Sequence, residues 1–413
     1  CRGRSMLPPR SSAGEREFVF LLALMQALQA LAIDAMLPAM GVMAADLGAT
    51  SENRRQLVIG VFMIGIAVGS LIPGALSDRF GRRPVLFGCL GFYIVPMLAC
   101  ALVRDFDTLI ALRFVQAVGC AGLAVIPPAI IRDRYEGDRM ARLQSLVAVI
   151  FLTVPMLAPS IGQVILDLAG WRWIFGFMAL LGSAVALWAW LRLPETLDPA
   201  NRQPVRIGAV LGNFGTVLGS RASIGYVLAS AFTMAAIWGF INSSQQLVAE
   251  HFGAGRAFPY IFGGMAAGMA LANFVNSRIV ERFGARRVSH AALFAYIAVG
   301  VLQVAFAFAA QQSLWQFVFA MALTMALGGF IGANFGAIAL QPFARTAGAA
   351  ASVQGFMRMM LASGMGMAIG QSFDGTARPY AMAVLGCGLA ALGLVLFSER
   401  GRLFRRLNPP KQS

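Results

Sequence analysis

The stretch Leu76-Ser-Asp-Arg-Phe-Gly-Arg-Arg-Pro-Val85 recurs 203 positions later as Ile279-Val-Glu-Arg-Phe-Gly-Ala-Arg-Arg-Val288. Each copy sets an acid, Asp78 or Glu281, before Arg-Phe-Gly and more arginine. Each also sits between two apolar runs long enough to cross a bilayer. Short basic loops resemble one another by chance, but recurrence at an equivalent place in the order of runs points to an internal duplication, hence to two similar helical halves.

The composition around these loops defines the solvent. Of 413 residues, 58% are hydrophobic and 12% charged, against about 25% charged in a soluble domain. So little polar surface cannot clothe a chain in water, and the lipid bilayer is its expected surroundings. A span needs about 20 mostly apolar residues. Runs near 18–40, 56–77, 84–103, 107–131, 142–166, 172–193, 222–249, 259–280, 287–310, 313–341, 348–373 and 377–398 meet that need. The fold class is therefore an all-α membrane protein with twelve transmembrane helices in two six-helix halves.

The 33 basic residues, all arginine except Lys411, test this map. With the N-terminus inside, inside segments hold 25 and outside loops hold 6 (Arg54, Arg55, Arg104, Arg172, Arg256 and Arg378), while Arg113 and Arg358 remain within spans. Such a bias is the positive-inside pattern, with both termini cytoplasmic. It reads as residues 1–17 an N-tail, 18–193 an N-terminal bundle, 194–221 a cytoplasmic linker, 222–398 a C-terminal bundle and 399–413 a C-tail. The linker carries Pro194, Pro199 and Pro204, and its apolar stretch Ile207–Leu218 leaves a surface helix open.

The formal charge of +15 is not a nucleic-acid signal, because no basic face on a soluble domain accompanies it. Cys89, Cys100, Cys120 and Cys387 lie inside apolar runs as small packing residues, and no His/Cys cluster suggests a metal. The first apolar run is too long for a signal core and lacks a cleavage site; Met6 is read as the natural start. Neither HExxH, nor a phosphate loop ending in GKS or GKT, nor a nucleophile beside a base is present, so no enzyme is expected.

Gly74-Ala-Leu-Ser-Asp78-Arg79-Phe-Gly81-Arg82-Arg83-Pro-Val-Leu86 resembles the signature loop between helices 2 and 3 of the major facilitator superfamily. Asp34-Ala-Met-Leu-Pro38-Ala resembles a motif of its Bcr/CflA (bicyclomycin and chloramphenicol resistance) exporters, drug:proton antiporters with twelve helices. Arg113-Phe-Val-Gln116, with Gly119, resembles the buried-arginine motif. Ala158-Pro159-Ser-Ile-Gly162 resembles the antiporter motif, although Gln163 stands where a last glycine is usual. Arg132-Asp133-Arg-Tyr135 and Leu193-Pro-Glu-Thr196 are similar to further Bcr/CflA segments. The resemblance implies a cytoplasmic gate at Gly74, Asp78, Arg79, Gly81, Arg82 and Arg83. There Asp78 accepts from helix-terminal amides or pairs with arginines between helices.

A charge at the bilayer centre costs about 2.5–3.5 kcal/mol even on lenient scales, so ionisable residues there face a cavity and work. Three lie clearly inside spans: Asp34, Arg113 and Arg358. Asp34 and Arg113 are each about six residues from the outer end of their spans, about 9–10 Å deep. The resemblance turns helices 1 and 4 toward one cavity, so the two are expected to face each other as a proton-coupling pair. Burial favours the neutral acid and a nearby guanidinium the carboxylate. A fixed ion pair ordering the two helices is the competing reading.

Expected around the substrate are Arg358, and Trp238, Asn242 and Gln245, which share one helix face. Gln26, Gln116, Asn273 and Asn334 are further cavity residues. Interhelical hydrogen bonding is the alternative for the amides. Gly65xxxGly69, Gly264xxxGly268 and Gly366xxxGly370 are expected to let helices approach closely.

The function these features imply is proton-coupled efflux of small amphipathic organic compounds by a monomer in the bacterial inner membrane, with protons as coupling ion and no cofactor. A proton-coupled importer of a metabolite is the first alternative. A transport-inactive receptor or scaffold is disfavoured by an inside loop of only about 28 residues.

Overall fold

The computed structural model describes residues 14–49, 51–202, 207–309, 311–343 and 347–405. Most of the N-tail and the end of the C-tail, including Arg2, Arg4, Arg10 and Lys411, lie outside the described residues.

Among the described residues, eleven helices are long and apolar enough to cross a membrane: α1 (Glu15–Asp46), α2 (Asn53–Phe80), α3 (Arg82–Leu102), α4 (Phe106–Arg134), α5 (Arg142–Ala169), α6 (Trp171–Arg192), α7 (Arg221–His251), α8 (Gly255–Phe283), α9 (Ala285–Phe308), α10 (Leu314–Phe343) and α12 (Arg378–Glu399). Between the last two runs α11 (Ala347–Gln371), 25 residues long. It is not among the eleven because Gln354, Arg358 and its glycines dilute its hydropathy. Its place is inside the bundle, packed along α7 and α2, where lipid does not set its composition. Among the described residues, the twelve-helix, all-helical architecture expected from the sequence is the one observed.

α1 to α6 pack with one another, as do α7 to α12, and the halves meet where α2 lies on α11 and α5 on α8. The linker holds a helix over Ile207–Gly219, whose Val217 is buried with Phe343, Ala350 and Val353. Both duplicated loops turn on a glycine in the left-handed region, Gly81 at φ 105° and Gly284 at φ 85°, a conformation that a Cβ resists. The duplication extends to the acids that close each half: Glu195 follows α6 and Glu399 ends α12.

Two of the three small-residue motifs make close contacts. A Cβ on Gly65 would stand 2.6 Å from that of Ala117 on α4, and one on Gly366 would stand 2.6 Å from that of Trp238 on α7. The third does not: Gly264 and Gly268 have nothing within 4 Å of a Cβ, because that face of α8 meets no other helix. Gly65→Val should therefore lower the thermal midpoint of the purified protein, at a cost of about 1–3 kcal/mol from overpacking. Gly264→Ala should leave it nearly unchanged, within about 0.5 kcal/mol. Size-exclusion profiles over a temperature series compare the two.

Candidate transport site

A cavity of about 520 Å³ lies between the halves, lined from α1, α5, α7, α8, α10 and α11. α1 contributes Gln29, Ala30, Ile33 and Asp34, the i, i+1, i+4, i+5 stripe of one helix face. The regular helix stops at Asp34 and resumes through a 3₁₀ turn at Leu37–Ala39 and a short helix at Met40–Asp46. Pro38 explains the break: it has no amide to donate to the Asp34 carbonyl. α5 packs against this break. A Cβ on Gly162 would lie 1.7 Å from the Ala35 carbonyl oxygen, so only glycine permits the approach. Within the same helix, Ala158 is fully buried, and Pro155 and Pro159 remove two further amides.

Asp34 is 5% exposed, and among the described residues its carboxyl has no hydrogen-bond or ion-pair partner. The expected pair with Arg113 is not formed. Arg113 is fully buried behind α1, where Nη2 donates to the Ala32 carbonyl at 2.8 Å, Nη1 to Gln116 Oε1 at 2.7 Å and Nε to the Val58 carbonyl at 3.5 Å. Its guanidinium lies 4.0 Å from the Phe62 ring centroid. The reason is angular. Residues two apart on a helix point about 200° apart, so Asp34 faces the cavity while Arg113 meets the backbone near Ala32. No α4 residue is on the cavity wall.

Trp238, Asn273 and Arg358 lie on that wall. Other residues expected there are turned elsewhere. Gln26 donates to the Ala124 carbonyl at 3.3 Å, tying α1 to α4. Gln116 is held by Arg113 and by Met97 Sδ. Asn242 donates back to the Trp238 carbonyl and Asn334 to Asn276. Gln245 lines a separate cleft near Pro38, Gln163 and Arg256. Gln26, Gln116 and Asn334 thus make bonds between helices, the alternative that periodicity left open, whereas Asn242 bonds within its own helix and Gln245 Nε2 donates to the nearby Glu250 at 3.3 Å. Gln29, one turn beyond Gln26, is a wall residue that the sequence reading missed.

The signature loop is a closed electrostatic cluster within the first half. Arg82 donates from Nη1 to Asp78 at 2.5 Å and to Ser77 Oγ at 2.8 Å, and from Nε to Asp133 at 2.8 Å. Asp78 thus pairs inside its own loop. The helix-terminal amides go instead to Glu195, which accepts from Arg82 N at 2.9 Å and Arg83 N at 3.0 Å, an anion at the α3 N-terminus. Arg83 lies over Phe87 and Trp190, and Arg79 over Phe80. A Cβ on Gly74 would stand 3.5 Å from Val125 Cγ1, an ordinary contact.

Side-chain hydrogen bonds between the halves gather at the opposite face. Arg55, 6% exposed, makes a two-pronged ion pair with Glu250 at 2.5 and 2.6 Å. Beside it Gln56 bonds Gln246, Gln246 donates to Asn53 at 2.9 Å, and Asn53 donates to the Gln371 and Phe373 carbonyls at 3.0 and 2.8 Å. Gln246 and Glu250 project from a π-helical turn at Gln246–His251, a distortion frequent at functional positions. Loop-like composition gave no sequence signal for this lock.

A cavity enclosed between two membrane-embedded halves, locked at one face, is the form of a transport protein. Residues 22–368 match the Major Facilitator Superfamily, and the chain belongs to that family. It is 27% identical over 373 residues to the bicyclomycin resistance protein homolog of Haemophilus influenzae, covering 90% of this chain and 93% of that one. The MFS-type transporter YdgK of Bacillus subtilis is 30% identical over 388 residues, 91% of this chain and 94% of YdgK. The multidrug resistance protein MdtL of Escherichia coli is 27% identical over 381 residues, 90% and 92% of the two chains. Among solved structures, an inward-facing, unoccupied bacterial homolog of the human lysosomal transporter Spinster matches with TM-score 0.71 at 17% identity, over 95% of this chain and 96% of that one. The human organic anion transporter MFSD10 matches with TM-score 0.68 at 17% identity, over 94% and 100%. These relatives bear out the resemblance to the Bcr/CflA exporters and identify a transporter, not an enzyme.

Glu250→Gln should weaken the lock, since it removes a nearly buried guanidinium's only described acid. Double electron–electron resonance between spin labels at Ser51 and Asp374 should show a larger long-distance population in the variant than in the parent.

Proposed function

We propose that the chain is a proton-coupled exporter of amphipathic organic compounds, working by alternating access as a monomer in the bacterial inner membrane. The observation that carries this reading is Asp34: one carboxyl on the wall of the cavity between the halves, without a partner among the described residues. Such a group binds a proton when its surroundings are apolar and releases it when water or a cation reaches it. Rocking of the halves supplies that change of surroundings.

The arginine bias supports a cytoplasmic signature loop and cytoplasmic termini. On that orientation the Arg55–Glu250 lock is periplasmic, and the state is inward-facing. The Asp78–Arg82–Asp133 cluster with Glu195, Arg79 and Arg83 would then meet the second half only when the cytoplasmic side closes. The two moving units are residues 18–193 and 222–398, with 194–221 as their tether. Arg113 acts here as a fixed tie from α4 to the α1 and α2 backbones; it steadies the helix that carries Asp34.

Export, as opposed to uptake, is supported by the names of the relatives, which speak of bicyclomycin resistance and multidrug resistance, and by the antiporter-like Ala158, Pro159 and Gly162 against the α1 break. A membrane potential of about 150 mV supplies about 3.5 kcal/mol per charge, enough for a gradient of a few hundred-fold in a neutral compound.

Energised cells carrying the protein should deplete a fluorescent amphipathic dye, and an uncoupler should abolish the depletion. Asp34→Asn should remove proton-driven export while surface expression stays near that of the parent; intact export in a pH gradient would exclude Asp34 as the coupling group. Arg113→Ala should reduce export by at least about tenfold by loosening α1. Uptake driven by an inward proton gradient in right-side-out vesicles would reverse the assigned direction.

A further inference from the structure

We infer that the compounds taken by this cavity are dipolar amphipaths, with an ammonium group met by Asp34, an anionic group met by Arg358, and an apolar aromatic body between. The inference rests on the proton-exchange reading of Asp34 and adds the substrate class.

Among the described residues, the two ionisable side chains on the cavity wall are Asp34, from the first half, and Arg358, from the second. Neither has a hydrogen bond or ion pair to another described residue. Arg113, fully buried behind α1 and off the cavity wall, is used by the Ala32 and Val58 carbonyls and Gln116. The rest of the wall is soft and apolar, with Met234, Met269, Met325, Phe151 and Phe262, side chains that adapt to varied aromatic shapes. Trp238 adds an indole N–H that is buried and unbonded among the described residues. A cavity of about 520 Å³ is within the range of about 300–1,000 Å³ usual for drug-sized ligands.

Charge balance selects the class. With Asp34 ionised, acid and guanidinium offset each other; with Asp34 protonated, Arg358 is a lone cation among apolar groups. A purely anionic compound at Arg358 is therefore favoured when Asp34 holds its proton, and would travel with the proton. A purely cationic compound at Asp34 leaves Arg358 uncompensated, which is costly inside a membrane. A neutral compound uses neither group. A dipolar compound offsets both charges and needs Asp34 ionised, so its binding expels the proton, as antiport requires. The proton leaves the Asp34 carboxyl for bulk water as the ammonium takes its place, and no covalent bond changes.

The test uses four matched probes: 4-(piperazin-1-yl)benzoic acid, its methyl ester, its N-acetyl derivative and the N-acetyl methyl ester. They are respectively dipolar, cationic, anionic and neutral. Affinities are measured on the full chain in lipid nanodiscs, with proton release followed by calorimetry in buffers of different ionisation enthalpy. The dipolar acid should bind about tenfold or more tighter than the other three, the scale of one charged contact, and should release a proton. Arg358→Gln should bring the ratio of acid to ester close to one, while Arg358→Lys, which keeps the charge, should retain most of it. Asp34→Asn should abolish proton release. Equal binding of acid and ester by the parent, an unchanged ratio in Arg358→Gln, tightest binding by the N-acetyl acid, or no binding of the dipolar acid would each overturn the inference. If the charge preference holds but Asp34→Asn cells still export dye against a proton gradient, the coupling reading fails while the substrate class stands.

Discussion

An ionisable group inside a membrane bundle must find a partner, a polar backbone or a chamber that water reaches, and this molecule uses the second and third solutions side by side. Arg113 is sealed and satisfied by two carbonyls, an amide and an aromatic face. Asp34 and Arg358 face the chamber between the halves. The first arrangement is static and holds three helices together. The second leaves charges whose free energy changes with whatever occupies the chamber, the condition for coupling one ligand to another.

The local sequence around Asp34 builds that condition. Pro38, one turn beyond the acid, makes the regular helix end at Asp34, and Gly162 brings α5 onto the buried turn at Ala35. The acid is thereby set at a break in a helix, where backbone groups are free and small motions are cheap, a recurrent design in transporters. At one face of the bundle the halves are joined by Arg55–Glu250 and an amide chain. At the other, the signature loop has spent its charges within its own half on Asp78, Asp133 and Glu195. This asymmetry between faces is what an alternating machine has when one side is closed.

Twelve helices were legible because lipid imposes long apolar runs and the arginines punctuate them. α11 was legible as a mostly apolar run of span length, although its hydropathy falls below that of the other eleven, since a helix surrounded by protein tolerates Gln354 and Arg358. Asp34 and Arg358 stood out in sequence as charges in the wrong solvent, and Trp238 stood out by sharing a helix face with Asn242 and Gln245. What sequence did not carry was rotation about a helix axis. Gln26 and Gln29 differ by one turn, yet one bonds Ala124 and the other lines the cavity; Arg113 matches Asp34 in depth but meets the other side of α1. Glu195 and Glu250 were hidden for another reason: they lie at span ends, where acids are ordinary, and only the fold brings them to α3 and to Arg55.

The account stands on Asp34 exchanging a proton within reach of the chamber. The most direct measurement is an infrared difference spectrum of the protein in nanodiscs between acidic and alkaline buffer, recorded for the parent and for Asp34→Asn. A protonated-carboxyl stretch that appears on acidification, weakens when a transported compound is added and is missing from the variant is the predicted result. A spectrum in which the variant keeps that band, or in which the parent never develops it, would contradict the account.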